Sequence, residues 1–569
     1  ILRKSLVHND ANDNNIIVTN VSINPSVNSL IDYGDAINTQ IINDVAICCA
    51  YAIIEVNDPL EATIPVIKGY HSKFPLYEKE LEFLYILIAM RLIVSVTKAA
   101  INKVKSPLNE YLLISERSAW KLIRKWSKIS EEFAFYRFRE ACGLEPHPQF
   151  HLFYDWSKSK TTSPRELFPS LEITEVHHLD LSVSSSWLGL KEEFNNLDLF
   201  KFKIKQLQKQ KPKKILAGGY LEPRSLYTSE TYNKFGNNGL EKRCIHLGID
   251  FWVPKYTPVH SPYNGTIVKV FNDQGEKAYG GTIILKHDTK SFTFYTLYGH
   301  LALESIQKVV VGSKILKGDF LAFIGSSSEN GNWAPHLHFQ IMLSQLDYKN
   351  DFPGVCYYNH IKTWKSICPD PNFIFQNESL KIKQKNPADL ILSDRLKSLG
   401  KGMSLQYKEP LHIVRGEKEY LIDRNGRYFL DMVNNVSHVG HEHPKVVMAG
   451  QAQMSQLNTN SRYLHENITR LAKHLISTLP PELSIIHFVN SGSEANELAL
   501  RMIKTITGSN QIIASKQGYH GNTNRCIDVS SYKFDGRGGK GKPSSTHIFP
   551  IPDSFRGMYR GDKTVSLYV

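Results

Sequence analysis

Between residues 241 and 343 the sequence sets four histidines and one aspartate in three short motifs: His246-Leu-Gly-Ile-Asp250, Tyr298-Gly-His300 and Pro335-His336-Leu-His338-Phe339. A catalytic zinc site takes three protein ligands and leaves one position open, and histidine with a carboxylate is a standard ligand set. His336 and His338 are two apart, so on a strand both imidazoles project from one face. The surrounding segments Gly265-Thr-Ile-Val-Lys-Val270, Gly281-Thr-Ile-Ile-Leu285 and Phe320-Leu-Ala-Phe-Ile324 are glycine-bounded and apolar or alternating, which predicts strands. This stretch is therefore expected to be a mainly β domain whose strands converge on one metal.

The three motifs resemble the lysostaphin/LytM-type zinc endopeptidases, which cut peptidoglycan cross-bridges; the likeness spans about a hundred residues. The resemblance implies that His246, Asp250 and His338 bind Zn2+. It also implies that His300 and His336 orient or deprotonate the attacking water and steady the oxyanion. A bound metal brings the pKa of water toward neutrality, so a hydroxide nucleophile becomes accessible.

A chain of 569 residues with 41% hydrophobic and 22% charged residues has the composition of a globular protein with three or four domains. The chain opens at Ile1 directly in a motif and stops at Val569 inside another, so a fragment of a longer protein is expected. The net charge is +13, and its densest basic run, Lys201 to Lys214, has no nucleic-acid motif and reads as a solvated face or linker. The seven cysteines, Cys48, Cys49, Cys142, Cys244, Cys356, Cys368 and Cys526, are scattered and form no Cys-x-x-Cys pair, which suits reduced thiols in a cytoplasm. The most apolar run, Phe83 to Met90, is bounded by Glu82 and Arg91 and falls short of the roughly 20 residues of a membrane span. It is expected to be a buried helix, with no membrane and no nucleic acid among the partners. The richness in Asn, Ile and Lys matches an AT-rich bacterial genome by association alone.

A second chemistry lies at the start. His8-Asn-Asp10-Ala-Asn-Asp-Asn-Asn15 sits between apolar segments as a loop, and Ser29-Leu-Ile-Asp32-Tyr-Gly-Asp35 delivers further carboxylates at a strand end. Phosphoryl transfer needs a base on the acceptor hydroxyl and oxygen ligands for magnesium, roles that Asp10 and the pair Asn15 and Asp32 suit. The arrangement resembles the catalytic half of the aminoglycoside phosphotransferase and choline kinase-like fold. Ile31 to Ala36, Asp44 to Ala52 and Arg91 to Thr97 extend the likeness to the hydroxylysine kinase branch. The resemblance implies Mg2+ with ATP or GTP, and an α+β C-lobe whose nucleotide lobe is expected before residue 1.

The third signal is Asn490-Ser491-Gly492-Ser493-Glu494. Ser491 and Glu494 have capping-box spacing, and Ala495, Leu498, Ala499, Met502 and Ile503 follow with helical period. Such a helix start, built from small residues, offers free N–H groups and the positive end of a dipole to a phosphate. Gly518-Tyr519-His520-Gly521 follows the apolar segment Gln511 to Ala514 and is expected near the same place. These residues are similar to class III, fold type I, pyridoxal-phosphate aminotransferases, and Tyr428 to Pro444 with Asn458 to His465 point to the phospho-lyase branch. The likeness implies that Ser491, Gly492 and Ser493 hold the cofactor phosphate, with Tyr519 and His520 at the ring. It also implies a homodimer through this part. The aspartate and lysine that complete the cofactor site are expected beyond Val569.

The expected architecture is thus multidomain. A kinase-like α+β C-lobe at 1–145 and a connector at 146–214 precede a mainly β metallopeptidase domain at 215–345. A linker at 346–395 and an α/β aminotransferase domain at 396–569 follow. The leading expectation is a cytoplasmic enzyme that phosphorylates a small amine, an amino alcohol or hydroxylated amino acid, and then transaminates it or eliminates the phosphate. The competing expectation is a peptidoglycan endopeptidase acting outside the cytoplasm, with the flanking parts as binding or regulatory remnants.

Overall fold

The computed structural model describes residues 2–21, 25–105, 116–172, 175–382, 388–400, 402–403, 405, 407–433, 438–562 and 564–568. It divides into a unit at Ile1–Ala452 and a unit at Gln453–Val569. The protein is multidomain with mixed sheets.

The first unit begins with a small α+β body. Two short antiparallel strand pairs, Lys4–Val7 with Ile37–Gln40 and Ile16–Val18 with Val27–Leu30, lead into a helical cluster. The helices Ile41–Ala52, Pro59–Lys73, Glu78–Lys105, Glu116–Trp126 and Glu131–Ala141 share one apolar core around Ile42, Leu84, Ile88 and Phe138. The run expected to stop at Met90 continues as a helix of 28 residues, long and apolar enough to cross a membrane by length and composition. Arg91 does not end it, because its guanidinium is taken by Asp10 and by the Tyr51 hydroxyl. The buried positions Leu81, Leu84, Ile88, Leu92, Val96 and Ala99 recur every three to four residues, and the first four pack in the cluster.

The helical body meets the β domain through a polar junction. Arg137 donates to both carboxylate oxygens of Glu61 at 2.8 and 2.9 Å, and His360 Nε2 lies 3.0 Å from the same group. Burial alone would raise the Glu61 pKa; His360 and Arg137 outweigh it and hold it at about 2, against an ordinary 4.5. A carboxylate with a depressed folded-state pKa stabilises the fold above its unfolded value and loses that contribution as pH falls toward 2. Glu61→Gln is therefore expected to cost about 3 kcal/mol at neutral pH. The difference from wild type should shrink below about pH 4.5 in thermal melts taken across pH; a gap that stays constant would contradict the assignment.

Asp250, His300 and His338 lie in an eight-stranded sheet, and His246 ends the strand Gly239–His246 of a separate three-stranded sheet. The order of the eight runs Lys314–Ile315, Gly265–Asp273, Gly280–Asp288, Thr293–Leu301, Leu337–Met342, Ile249–Trp252, Lys214–Gly218 and Glu175–His178. All neighbours are antiparallel except the last pair. Alternation along Leu337–Met342 sends Leu337, Phe339 and Ile341 into the main core and turns His338, Gln340 and Met342 to the other face.

The stretch expected as connector, 146–214, is instead part of this body. Phe153 of the helix Phe150–Ser159 is fully buried in the main core, and Glu175–His178 adds the outermost strand. The aromatic spacing Phe150, Phe153 and Trp156 makes one face of that helix apolar, which a solvated connector does not need. The expected linker 346–395 likewise contributes the helix Ile361–Ile367, with Trp364 and Ile367 packed near Leu297 and Met342. The three-stranded meander Ile413–Glu417, Tyr420–Asp423 and Tyr428–Leu430, expected to belong with the C-terminal domain, also lies in the first unit. Arg415 there donates to Glu442 and to the Gly189 carbonyl, and Glu417 pairs with Lys191.

The second unit contains the helices Glu466–Ile476 and Gly492–Thr507, and two parallel strands, Ile512–Ser515 and Thr546–Phe549. Residues 434–437, within the Tyr428 to Pro444 motif, lie outside the described residues.

Candidate metal centre

Two neighbouring strands carry two of the ligands. His338 pairs with Asp250 across the antiparallel ladder, and His246 ends the preceding strand Gly239–His246. His246 Nε2 lies 2.9 Å from His338 Nδ1, and Asp250 Oδ1 is 3.3 and 3.1 Å from those two atoms. The three side chains are buried, and their ligand atoms all fall within 4.8 Å of one another.

The outer nitrogens fix the tautomers. His246 Nδ1 faces the Gly219 carbonyl at 2.9 Å, so it carries the proton and leaves a lone pair on Nε2. His338 Nε2 faces Gln340 Oε1 at 2.9 Å, and the Gln340 amide nitrogen donates to the Pro353 carbonyl, which sets the orientation of that amide. His338 Nδ1 is therefore also a lone pair. Two imidazole lone pairs and a carboxylate oxygen converge, an arrangement that asks for a cation. Burial and then Arg224 lower the His246 pKa to about 4, which favours the neutral ring with its lone pair. The residues present fit a zinc ion.

His300 and His336 complete the wall. His336 Nδ1 donates to the Ala334 carbonyl at 2.8 Å, leaving Nε2 3.8 Å from Asp250 Oδ1. Its ring stacks on Trp252 at 4.2 Å and lies 4.1 Å from that of His300. His300 Nδ1 faces the Asn330 carbonyl at 3.2 Å. Burial pushes both pKa values down, His336 to about 4, which keeps both rings neutral. His300 reaches this face through a bulge. Gly281 pairs with Leu301 but Ile283 pairs with Tyr298, so one extra residue sits on the His300 strand. Tyr298 and Leu301 then both point into the main core, and His300, at φ 66°, swings toward the metal ligands.

Four neighbours were not singled out in the sequence. Arg224 donates from Nη1 to Asp250 Oδ2 at 2.6 Å and from Nε to Glu222 at 2.7 Å. Gln340 anchors His338, and the Tyr279 hydroxyl lies 3.4 Å from His338 Nε2. Gln340 was within reach of a period-two reading, two residues beyond His338; Arg224, 26 residues before Asp250, carried no local signal. Arg224 and Asp250 hold opposite charge in a fully buried place, and Asp250 stays well below the carboxylate range: burial opposes ionisation, but the Arg224 guanidinium at 2.6 Å outweighs it. The centre opens into a cavity of about 190 Å³, walled also by Tyr227, Trp333 and Phe352.

The N-terminal candidates form a tighter polar knot. Asp10 Oδ1 pairs with Arg91 at 2.5 Å, and Asn15 Nδ2 donates to the Asp10 carbonyl at 2.9 Å. Ile31 links the two loops, accepting from His8 Nε2 and donating to the Asn15 carbonyl. Asp32 follows it in the left-handed region at φ 61°, exposed and capping a turn through Gly34 N. Asp10 and Asn15 are thus brought together, while the exposed Asp32 stands on the adjoining loop with its carboxylate turned to Gly34 N.

In the second unit Ser491 caps the helix Gly492–Thr507, its hydroxyl accepting from Glu494 N at 3.2 Å, while Glu494 reaches back to Asn490 N at 2.7 Å. Ser493 Oγ accepts from Asn522 N, and Asn496 donates to the His520 carbonyl, so the loop carrying Tyr519 and His520 lies against the helix start. Open space surrounds Gly492 where a Cβ would stand, and His520 Nε2 is buried without a hydrogen-bond partner. This cradle fits the phosphate end of pyridoxal phosphate. Tyr519 is largely exposed, next to Tyr532.

Residues 244–350 match the family model Peptidase family M23, and residues 403–565 match Aminotransferase class-III. The C-terminal part is 44% identical over 166 residues to the Drosophila melanogaster protein named alanine–glyoxylate aminotransferase 2-like, covering 29% of this chain and 34% of that one. It is 39% identical over 171 residues to the Caenorhabditis elegans protein named ethanolamine-phosphate phospho-lyase homolog 1, covering 30% and 36%. An Arthrobacter phospholyase, solved in complex with phosphoethanolamine, is 34% identical over 29% of this chain and 38% of that one, with a TM-score of 0.27. The chain spans about a third of the length of the curated relatives it matches.

Proposed function

We propose that the chain is part of a multifunctional enzyme of amine metabolism. A pyridoxal-phosphate-dependent aminotransferase or phospho-lyase would occupy its C-terminal part, a zinc hydrolase centre its middle, and a small-molecule kinase lobe its start. The observation that carries this reading is the match of residues 403–565 to the class III aminotransferases, with the Ser491-capped helix and the His520 loop side by side.

When bound, pyridoxal phosphate supplies an electron sink for bond changes at the amino carbon. The chain's own part is to hold the phosphate on the first-turn N–H groups at Gly492 and Ser493 and to set Tyr519 at the ring, with a second subunit pairing through this domain. At the start of the chain, Asp10 would take the proton of the acceptor hydroxyl, with Asn15 and Asp32 directed at the magnesium of ATP or GTP. A kinase acting on an amino alcohol or hydroxylated amino acid makes the phosphorylated amine that a phospho-lyase consumes, and a cytoplasmic location would supply both nucleotide and cofactor.

A second reading, a peptidoglycan endopeptidase acting outside the cytoplasm, is favoured by the intact His246, Asp250 and His338 cluster opening on a cavity. When bound, zinc supplies a Lewis acid that activates water. His300 and His336, each with one nitrogen tied to a carbonyl, are left to carry a proton on the other.

The leading reading is tested with the chain itself. Pyridoxal phosphate is expected to quench its fluorescence, inorganic phosphate to compete, and Ser493→Glu to weaken binding at least tenfold by placing a carboxylate at the phosphate position. Binding that is indifferent to both phosphate and Ser493→Glu would defeat the assignment.

A further inference from the structure

The wall behind the metal ligands is built from residues that precede the segment matching the peptidase family. The strand Lys214–Gly218 pairs with Ile249–Trp252, placing Gly218 opposite Asp250. The chain then turns through Gly219, at φ +108°, where a Cβ would collide with the Arg224 guanidinium and crowd the His246 ring. Only a residue without a side chain lets both groups approach. The Gly219 carbonyl accepts a hydrogen bond from His246 Nδ1–H, and Arg224 Nη1 donates to Asp250 Oδ2. Glu222, joined to Arg224 at 2.7 Å, is itself held by Leu181 N at 3.0 Å. Arg224 and Asp250 are each 3% exposed or less at the side chain.

We propose that Glu222 and Arg224 are positioning residues that make Asp250 a single-oxygen metal ligand and set the charge of the site. With Oδ2 occupied by the guanidinium, only Oδ1 faces the His246 and His338 lone pairs. The Glu222 carboxylate cancels the Arg224 charge, so the three groups together carry the single negative charge of Asp250 toward the cation. Without Glu222 the guanidinium would stand uncompensated against a divalent ion. Without Arg224 both Asp250 oxygens would be free to ligate. Supporting groups of this kind tune metal affinity by about 10- to 100-fold. The inference rests on the zinc-centre reading given above.

The test uses the full chain, stripped with a chelator and reloaded with zinc or cobalt. Wild type is expected to take up one equivalent of either metal. Glu222→Gln, nearly isosteric, should weaken zinc binding about 10- to 100-fold in chelator competition. Arg224→Met should lower the intensity of the cobalt visible bands, because a second Asp250 oxygen raises the coordination number. A Glu222→Gln protein that binds zinc as wild type does overturns the proposal, as does a cobalt spectrum unchanged by Arg224→Met. If the Arg224 variant does not fold, the Glu222→Gln affinity alone decides. If wild type binds neither metal, the zinc-centre reading itself falls and this proposal with it.

Discussion

Asp250→Asn is expected to abolish zinc binding while leaving the metal-free protein as stable as wild type, or more so. The amide oxygen can stay on Arg224 Nη1, where Asp250 Oδ2 now sits at 2.6 Å. The amide nitrogen then faces His246 Nε2 and His338 Nδ1, which stand 3.3 and 3.1 Å from Asp250 Oδ1. Both are lone pairs in the tautomers fixed by Gly219 and Gln340, so the N–H groups meet acceptors. A hydrogen-bonded amide would thus close the place in which the carboxylate and two imidazoles now converge. Metal analysis after dialysis should fall from about one equivalent of zinc to nearly none, since a three-ligand site has lost its only anion. Zinc should raise the melting temperature of wild type by mass action and leave the variant unmoved. Retention of a full equivalent by Asp250→Asn would remove the carboxylate from the ligand set.

The parts of this centre that could be read in the sequence are those coded over a few residues. His336 and His338 share a short motif, and both line the cavity, although His336 precedes the strand that begins at Leu337. The face on which His300 lands could not be read, because simple alternation puts it with Tyr298 in the core and a single bulge reverses it. Arg224 and Glu222 were illegible for another reason: their relation to Asp250 exists only through the pairing of two strands distant in sequence. The same logic explains the connector that proved to be core. The strand Glu175–His178 is four residues long, and only its partner at Lys214–Gly218 makes it part of the sheet. Charge misled in the long helix, where Arg91 reads as a stop until Asp10, 81 residues away, is seen to receive it. The Ser491 cap, whose partner is three residues on, was legible from the sequence alone.

Phe339→Ala is expected to produce the largest loss of stability in the first unit. Phe339 is fully buried, paired with Tyr298 on one side and Ile249 on the other. Its ring lies 5.4 Å from that of Tyr298 and 5.5 Å from that of Phe375, so truncation opens a void bordered by three elements that cannot all collapse. Such truncations cost about 3–5 kcal/mol, a large part of the roughly 5–15 kcal/mol that holds a domain together. The melting temperature of this unit should fall by roughly 10 °C. Phe339→Leu should cost clearly less, because it leaves a smaller void. The residue also stands between His338 and Gln340 on one strand, and this couples core to site. A strand that shifts to fill the void carries the metal ligand and its anchor with it, so the alanine variant should bind zinc more weakly although Phe339 touches no ligand atom. Saturating zinc should then recover part of the lost melting temperature, since the bound form resists the shift. A melting temperature that moves no more than for Leu316→Ala, a residue 61% exposed, would show that this face of the sheet is not the core described.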